Sequence, residues 1–382
     1  MRRGTFVRWG VPIAAAAVIG AAIGAGPVIA AVSGEPVLPE RSAQQLLADA
    51  VAATSKSQGI APMSGTVQQT ASLGLPALPQ TGGGGATSPL SLLSGSHEVK
   101  VWYGGENKMR VAMPTQLNET NLIVNGDQAW YWDSATNTAT KLTIKAGTGQ
   151  KPVTPTPQPT DLTPQAAAER LLTEVDEHTD VRVINTAEVA GRPAYQLVLA
   201  PKAEGSLVQE VRIALDGETY VPLQVQLFAK GSAEPAYQVG FTQVTFTPPA
   251  AENFTFTPPA GAKVEEATLG ENGVGEKAEQ RAEHAADVAN GAKFVGEGWA
   301  RVAVVPFKLS DLQAQATQGS EDGGNAAAML DTVLKSATPV SGTWGSGKLI
   351  KTKLVTALLT DDGRLLVGAV TPEEITKAAG TK

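Results

Sequence analysis

The glycine-rich segment Gly342–Lys348 (GTWGSGK) is the stretch most suggestive of chemistry, because Gly342, Gly347 and Lys348 have the spacing of a phosphate-binding loop. Such a loop needs a Ser or Thr after the lysine to hold magnesium, and a helix whose N-terminus faces the phosphate. Here Leu349 follows the lysine, and the pattern continues as a strand. The segment therefore predicts a glycine-rich turn and no nucleotide site.

Other reactive residue types do not form a recognisable constellation. His97, His178 and His284 lie far apart and share no metal-ligand spacing. Glu174 and His178 are one helical turn apart in an acidic run, which is more typical of a solvated helix end than of a cation site. The chain has no cysteine, and no serine lies in a G-x-S-x-G elbow. We predict no enzyme, no metal and no cofactor; a hydrolase with converging carboxylates stays open as an alternative.

The N-terminus predicts export. Arg2, Arg3 and Arg8 precede an uncharged apolar run over residues 11–32. The run has about the 20 residues that span a bilayer, and its positive flank places the rest outside the cytoplasm. We expect residues 1–32 to be either a signal peptide, cleaved near Ala30 or Ala31, or a membrane anchor. Without cysteine, the chain has no candidate for a lipid-modified N-terminal Cys. The net charge of −7 predicts no nucleic-acid partner.

Apolar residues that alternate along predicted strands are the remaining candidates for a functional surface, since alternate residues share one face of a sheet. Trp130 and Trp132 share one face of their strand, as do Leu223, Val225 and Leu227 of another. An ordinary core is one interpretation, and a wall that holds an acyl chain is the other. The candidates for lining a ligand cavity are Val99, Val101, Tyr103, Met109, Val111, Met113, Trp130, Trp132, Val211, Ile213, Leu215, Leu223, Val225 and Leu227.

Strands and helices must position this surface. Hairpins are predicted at Gly104–Asn107, Asn125-Gly126, Gly191-Arg192 and Asp216-Gly217. Two amphipathic helices, over residues 42–54 and 164–175, are expected to cover the sheet. The first begins with a Ser42/Gln45 capping box and buries Leu46, Leu47, Ala50 and Val51 on one face.

Composition divides the chain. We predict a domain over residues 40–263, with a flexible insert at 73–95 and a proline-rich connector at 146–164. A linker over 264–293 leads to a small C-terminal α+β unit over 294–382. That unit is expected to contain a strand pair in 294–307, a helix over 325–336, strands over 348–359 and 364–370, and a last helix from Thr371.

The segments Met109–Pro114 and Leu122–Asp133, with Gly126, Trp130 and Asp133, are similar to the LolA-like superfamily of periplasmic lipoprotein carriers. That superfamily includes the N-terminal domain of the RseB/MucB regulators. Gln69, after Gly65-Thr66-Val67, also fits its first strand. The resemblance covers roughly residues 40–265. It implies an unclosed antiparallel β half-barrel lidded by two helices, an α+β fold.

The resemblance implies a non-enzymatic envelope protein that binds acyl chains of a lipid or lipoprotein in an apolar cavity. One departure concerns the carrier role: the Arg-Pro pair of outer-membrane carriers is absent from the corresponding region, Tyr103–Glu106. The alternative is an RseB/MucB-like sensor that binds an anti-sigma factor or another membrane partner. The expected partners are therefore acyl chains, the membrane through the N-terminal segment, or a membrane regulator.

Overall fold

The computed structural model describes residues 38–54, 61–74, 95–105, 107–144, 163–172, 175, 177–269, 292–307, 332 and 334–381. The predicted N-terminal segment and most of the predicted helix over 325–336 lie outside these residues, as do the interiors of the insert, the connector and the linker. Three α-helices are described: α1 (Ala43–Thr54), α2 (Pro164–Leu172) and α3 (Pro372–Gly380). No helix within the described ranges is long and apolar enough to cross a bilayer.

Twelve strands form one open sheet. In chain order they are β1 (Met63–Ala71), β2 (Gly95–Gly105), β3 (Lys108–Pro114), β4 (Glu119–Asn125), β5 (Gln128–Asp133), β6 (Thr138–Ile144), β7 (Thr179–Val189), β8 (Arg192–Pro201), β9 (Val208–Asp216), β10 (Pro222–Ala229), β11 (Pro235–Thr245) and β12 (Lys263–Leu269). The order in the sheet is β12-β6-β5-β4-β3-β2-β1-β11-β10-β9-β8-β7. Neighbours are antiparallel except β12 and β6, which are parallel. The predicted α+β class with an unclosed antiparallel sheet is confirmed.

The turn residues explain several of these hairpins. Gly126 has φ 68°, so the Asn125-Gly126 hairpin forms where predicted. Between β7 and β8 the residues with positive φ are Ala190 (53°) and Gly191 (74°). This turn lies one residue earlier than predicted, because Arg192 already pairs with Val189.

Helix α1 has the predicted capping box: the Ser42 amide donates to Gln45 Oε1 at 3.0 Å, and the Gln45 amide donates to Ser42 Oγ at 3.2 Å. Leu46 and Ala50, one turn apart, are fully buried. Val51 is 45% exposed, so its predicted place on the buried face is wrong. At 100° per residue, Val51 lies beyond the edge of the stripe centred on Leu46 and Ala50.

Helix α2 buries Ala168 and Leu172 and ends at Leu172, short of the predicted Val175. It contacts β10 and β11, whereas α1 contacts β7 and β8, and the two helices contact each other. We call the sheet face against which they pack the inner face and the opposite one the outer face. Most of the large core lies between the inner face and the helices.

The outer face of β3 and β4 is covered by the chain between β11 and β12. A 3-10 turn over Ala251–Phe254 contacts these strands, and Phe254 is 3% exposed. This covering segment, residues 246–262, leads into β12. The sheet therefore continues to Leu269, and the predicted start of the linker at residue 264 is wrong.

The C-terminal unit is a second sheet. Its strands are β13 (Lys293–Val295), β14 (Val302–Pro306), β15 (Thr338–Gly342), β16 (Gly345–Lys351), β17 (Thr356–Thr360) and β18 (Arg364–Gly368), in the order β13-β14-β18-β17-β16-β15. Helix α3 packs on β17 and β18, and its N-cap Thr371 accepts from the Glu374 amide. The predicted strand over 348–359 is two strands, because Thr352 Oγ1 accepts from the Val355 amide in a turn.

The two sheets are joined by backbone hydrogen bonds. The Leu207 amide donates to the Ala369 carbonyl at 2.7 Å, and the Thr371 amide donates to the Gly205 carbonyl at 2.8 Å. On another side the Lys353 amide donates to the Leu73 carbonyl at 2.7 Å. Leu73 is 5% exposed, so the predicted flexible insert does not begin at residue 73.

Candidate ligand-binding face

Strand register divides the predicted cavity residues between the two faces. Val101 pairs with Val111, which pairs with Leu122, which pairs with Tyr131, so these four share the inner face. Every other predicted cavity residue except the two tryptophans belongs to, or packs against, the same inner-face core. Whether these residues line a ligand cavity stays a prediction.

Trp130 and Trp132 do share a face, as predicted, but it is the outer one. They pair with Ile123 and Asn121, which alternate with the inner-face Leu122. Their rings lie 5.5 and 5.9 Å from that of Phe256, between centroids, so they pack under the covering segment. They are not part of the same wall as Val101 and Val111. Alternation shows which residues of one strand share a face. It does not show which face of one strand lies on the same side of the sheet as a given face of the next strand.

The inner face has a helix-covered half and a less covered half. On β8 to β10, Leu197, Ile213 and Leu223 are fully buried. Toward β5 a group of apolar side chains is only half-buried, and we call it the inner strip. The inner strip consists of Tyr103, Met109, Leu122, Val124 and Tyr131. Its members are cross-strand neighbours on β2 to β5, so they form one continuous apolar surface.

Gln69 is a polar residue within this apolar face. It lies on β1, where register pairs it with His97 of β2 and Val239 of β11. Its side chain is fully buried, and neither Oε1 nor Nε2 has a hydrogen-bond partner among the described residues. In the sequence, Gln69 contributes to the family resemblance and has no other distinguishing motif. The signal for its burial is the alternation along β1, where Gln69 lies on the same face as the buried Val67 and Ala71.

The buried charged side chains, Asp216 and Glu210, are both paired with arginines and lie on β9, away from the inner strip. Asp216 is fully buried and accepts from the Arg192 guanidinium, at 3.0 Å from Nη2, and from the Thr219 amide at 2.9 Å. Burial alone would raise the pKa of Asp216, but the bonds from Arg192 and Thr219 outweigh burial and lower it. Glu210 is ion-paired to Arg182 and Arg212. These groups stabilise the sheet and are not arranged around a cleft.

In the described part of the chain, His178 lies in a turn and the glycine-rich segment lies in a hairpin. His178 Nε2 lies 3.7 Å from Glu297 and 4.0 Å from Glu177, whereas Glu174 falls outside the described residues. No group of three or more metal-ligating side chains occurs in the described part of the chain. Gly342 pairs with Gly345 to join β15 to β16, so GTWGSGK is a hairpin and Lys348 is exposed on a strand. An open cleft of about 520 Å³ lies between this turn and α3.

Residues 87–265 match a family described as "Predicted periplasmic protein (DUF2092)". No curated protein matches the sequence. Among solved structures, MucB in complex with MucA from Pseudomonas aeruginosa is 15% identical, with 88% of this chain and 96% of that chain covered and a TM-score of 0.40.

A LolA superfamily protein from Nitrosomonas europaea is 9% identical, with coverage of 57% and 99% and a TM-score of 0.19. A putative outer membrane lipoprotein-sorting protein domain from Vibrio parahaemolyticus is 11% identical, with coverage of 56% and 95% and a TM-score of 0.20. The names of these solved structures are those of the families that the segment around Trp130 resembles in sequence.

Proposed function

We propose that this is a non-enzymatic protein of the cell envelope that binds acyl chains of a lipid or lipoprotein on its inner face. The inner strip is the observation that carries the proposal. Its five apolar side chains are half-buried and continue directly into the fully buried core through Val101 and Val111. An acyl chain lying there would extend the core without meeting a charged side chain of the strip.

The energetics favour such a ligand. Burial of each methylene contributes about 0.8 kcal/mol, so ten methylenes supply roughly 8 kcal/mol before the cost of ordering the chain. Met109, Leu122 and Val124 provide apolar partners for this gain, and the unbranched side chain of Met109 can adapt its shape to the ligand.

Leu122→Asp tests the proposal. A carboxylate in the inner strip would have to be desolvated beside the ligand, so we expect affinity to fall at least about tenfold. The probe is a phosphatidylglycerol with a pyrene-labelled acyl chain, followed by fluorescence. Leu117→Asp, the same change at a residue that is 91% exposed, is the matched control. Equal loss in both variants, or no binding by the unchanged protein, would overturn the proposal.

The state of the N-terminus belongs to the same proposal. We propose that the protein is exported and is either anchored by residues 11–32 or released after cleavage near Ala30 or Ala31. The intact mass of protein purified from its own host separates the two, and native mass spectrometry of that sample detects co-purified lipid. A mass that retains the segment favours a fixed lipid-handling protein or sensor, whereas cleavage favours a soluble carrier.

A second candidate function is that of an envelope sensor that binds an anti-sigma factor or another membrane partner. The observation that favours it is the docked C-terminal unit, which is joined to the large sheet by backbone bonds at Gly205, Leu207 and Leu73. Binding of an acyl chain does not require that unit. Capture of the full chain's partners from host membranes, followed by rebinding of the purified external domain of any membrane-spanning regulator, tests this function. Failure to rebind counts against it.

A further inference from the structure

We propose that Gln69 is the specificity-determining contact of the inner face, where its side-chain amide donates a hydrogen bond to the ester or amide carbonyl of an acyl ligand. The inference rests on the proposed acyl-chain binding and adds the chemical group that is recognised. It makes the ligand an acyl derivative with a neutral carbonyl at the head of the chain, and not a plain hydrocarbon.

The burial of Gln69 is the first observation. A primary amide has two donor hydrogens and an acceptor oxygen, and buried amides are normally hydrogen-bonded because leaving them unpaired is costly. Gln69 has 0% exposure, and neither Oε1 nor Nε2 has a partner in the described part of the chain. Its sequence neighbour Gln68, which points to the outer face, donates to the His97 carbonyl at 3.3 Å. A β1 glutamine can thus be satisfied, and Gln69 is not.

The position of Gln69 in the sheet is the second observation. Strand β1 lies between β2, which begins the less covered half, and β11, which α2 contacts. Gln69 lies opposite His97 of β2, whereas Tyr103 of the inner strip lies opposite Met63, six residues and about 20 Å along β1. An acyl chain whose far end lies on the inner strip would bring its carbonyl to Gln69 by running along β1 and β2 and displacing α2, which contacts β11.

The charge of the surroundings selects the carbonyl. On the inner face of β1, β2, β10 and β11 the described residues include no Lys or Arg; Gln69 is flanked by Val67, Ala71, His97 and Val239. A carboxylate buried there would have no Lys or Arg to pair with and would be disfavoured. A neutral ester or amide carbonyl accepts from Nε2 and brings no charge into the core.

An ester-against-ether comparison tests the inference. 1,2-Dipalmitoylglycerol and its 1,2-dihexadecyl ether analogue have matched chains and the same uncharged headgroup, but only the first has acyl carbonyls. We expect the full-length protein to bind the ester about tenfold more tightly, the effect of one buried hydrogen bond. Gln69→Leu should bind both lipids equally. Gln68→Leu, the matched control on the outer face, should keep the preference.

The outcomes separate this inference from the proposed function. Equal binding of ester and ether by the unchanged protein overturns the role of Gln69, as would be found if internal water satisfied its amide, and leaves acyl-chain binding intact. Binding of neither lipid overturns the proposed function itself. A measurement that needs no variant uses ester lipid labelled with ¹³C at the carbonyl. Its infrared carbonyl band should shift to lower wavenumber on binding, and an unshifted band contradicts the inference.

Discussion

Gln69 and Gln68 are adjacent glutamines in opposite environments, and the difference has a consequence for stability. Gln69→Leu replaces an unpaired buried amide with an apolar side chain of similar size, so we expect the free energy of unfolding to rise by about 1–3 kcal/mol. Urea denaturation followed by circular dichroism measures it. Gln68→Leu removes satisfied bonds and should be neutral or destabilising. A destabilised Gln69→Leu would show that the amide has a partner in solution.

Asp216 shows the opposite arrangement, a buried carboxylate whose partners are all supplied by the chain. Arg192→Met leaves this carboxylate without its cation, and we expect a loss of roughly 3 kcal/mol at pH 7, the low end for breaking a buried pair because Arg192 is 27% exposed. Thermal unfolding measures the loss. Lys263→Met, which removes an exposed pair with Glu265, is the control and should change nothing measurable.

The pH dependence of the Arg192–Asp216 pair follows from the lowered pKa of Asp216 in the folded protein. A group with a lowered folded pKa contributes stability above its unfolded pKa, about 3.9, and the contribution is lost as the pH falls through the folded pKa. The difference between the unchanged protein and Arg192→Met should therefore be full at pH 7 and shrink below about pH 4. A difference that is constant down to pH 2 would contradict the assignment.

At the scale of elements, local signals were sufficient for most predictions. The Ser42/Gln45 box, the Asn125-Gly126 turn and the helix start at Thr371 each involve residues within a few positions, and each forms as predicted. Which face of the sheet Trp130 and Trp132 occupy could not be predicted from their own strand, because it depends on register across β2 to β5. A strand shows its own alternation, but only its neighbours decide which side is the inner one.

The covering segment over residues 246–262 is an element that has no regular secondary-structure pattern to predict it. Its anchor is Phe254, which is 3% exposed and sits so close to Gly104 that a Cβ there would lie 2.9 Å from the ring. Phe254→Ala should lower the free energy of unfolding by about 3–5 kcal/mol. Phe294→Ala, at a ring that is 38% exposed, is the matched control.

Denaturation in urea checks the Phe254 prediction, and acyl-probe binding adds a second readout. Because the covering segment lies on the outer face, the refolded Phe254→Ala protein should bind the probe as before, below its unfolding range. A loss under 1 kcal/mol would mean that the segment is not anchored there, and a selective loss of binding would place the ligand on the outer face.

At the scale of the whole molecule, the chain was expected to consist of two units joined by a linker, and the structure packs them together. Hydrophobic periodicity does not predict contacts between segments this far apart in sequence. A strand has the same alternation whether or not its end contacts another sheet. Ser206 forms an isolated bridge with Val370, and Trp299 Nε1 donates to Thr179 Oγ1 at 2.9 Å. The two units therefore share an interface that includes apolar burial.

Leu354 tests whether that interface makes the molecule unfold as one unit. It belongs to the turn between β16 and β17, yet it is 2% exposed within the core of the large sheet. Because burial couples the two cores, the unchanged protein should show one calorimetric transition. Leu354→Asp places a carboxylate without a cation in this contact, so the units should separate and melt in two transitions. Leu117→Asp should retain one transition. Two transitions in the unchanged protein, or one in Leu354→Asp with an unaltered melting temperature, would show that the docked units are energetically independent of this contact.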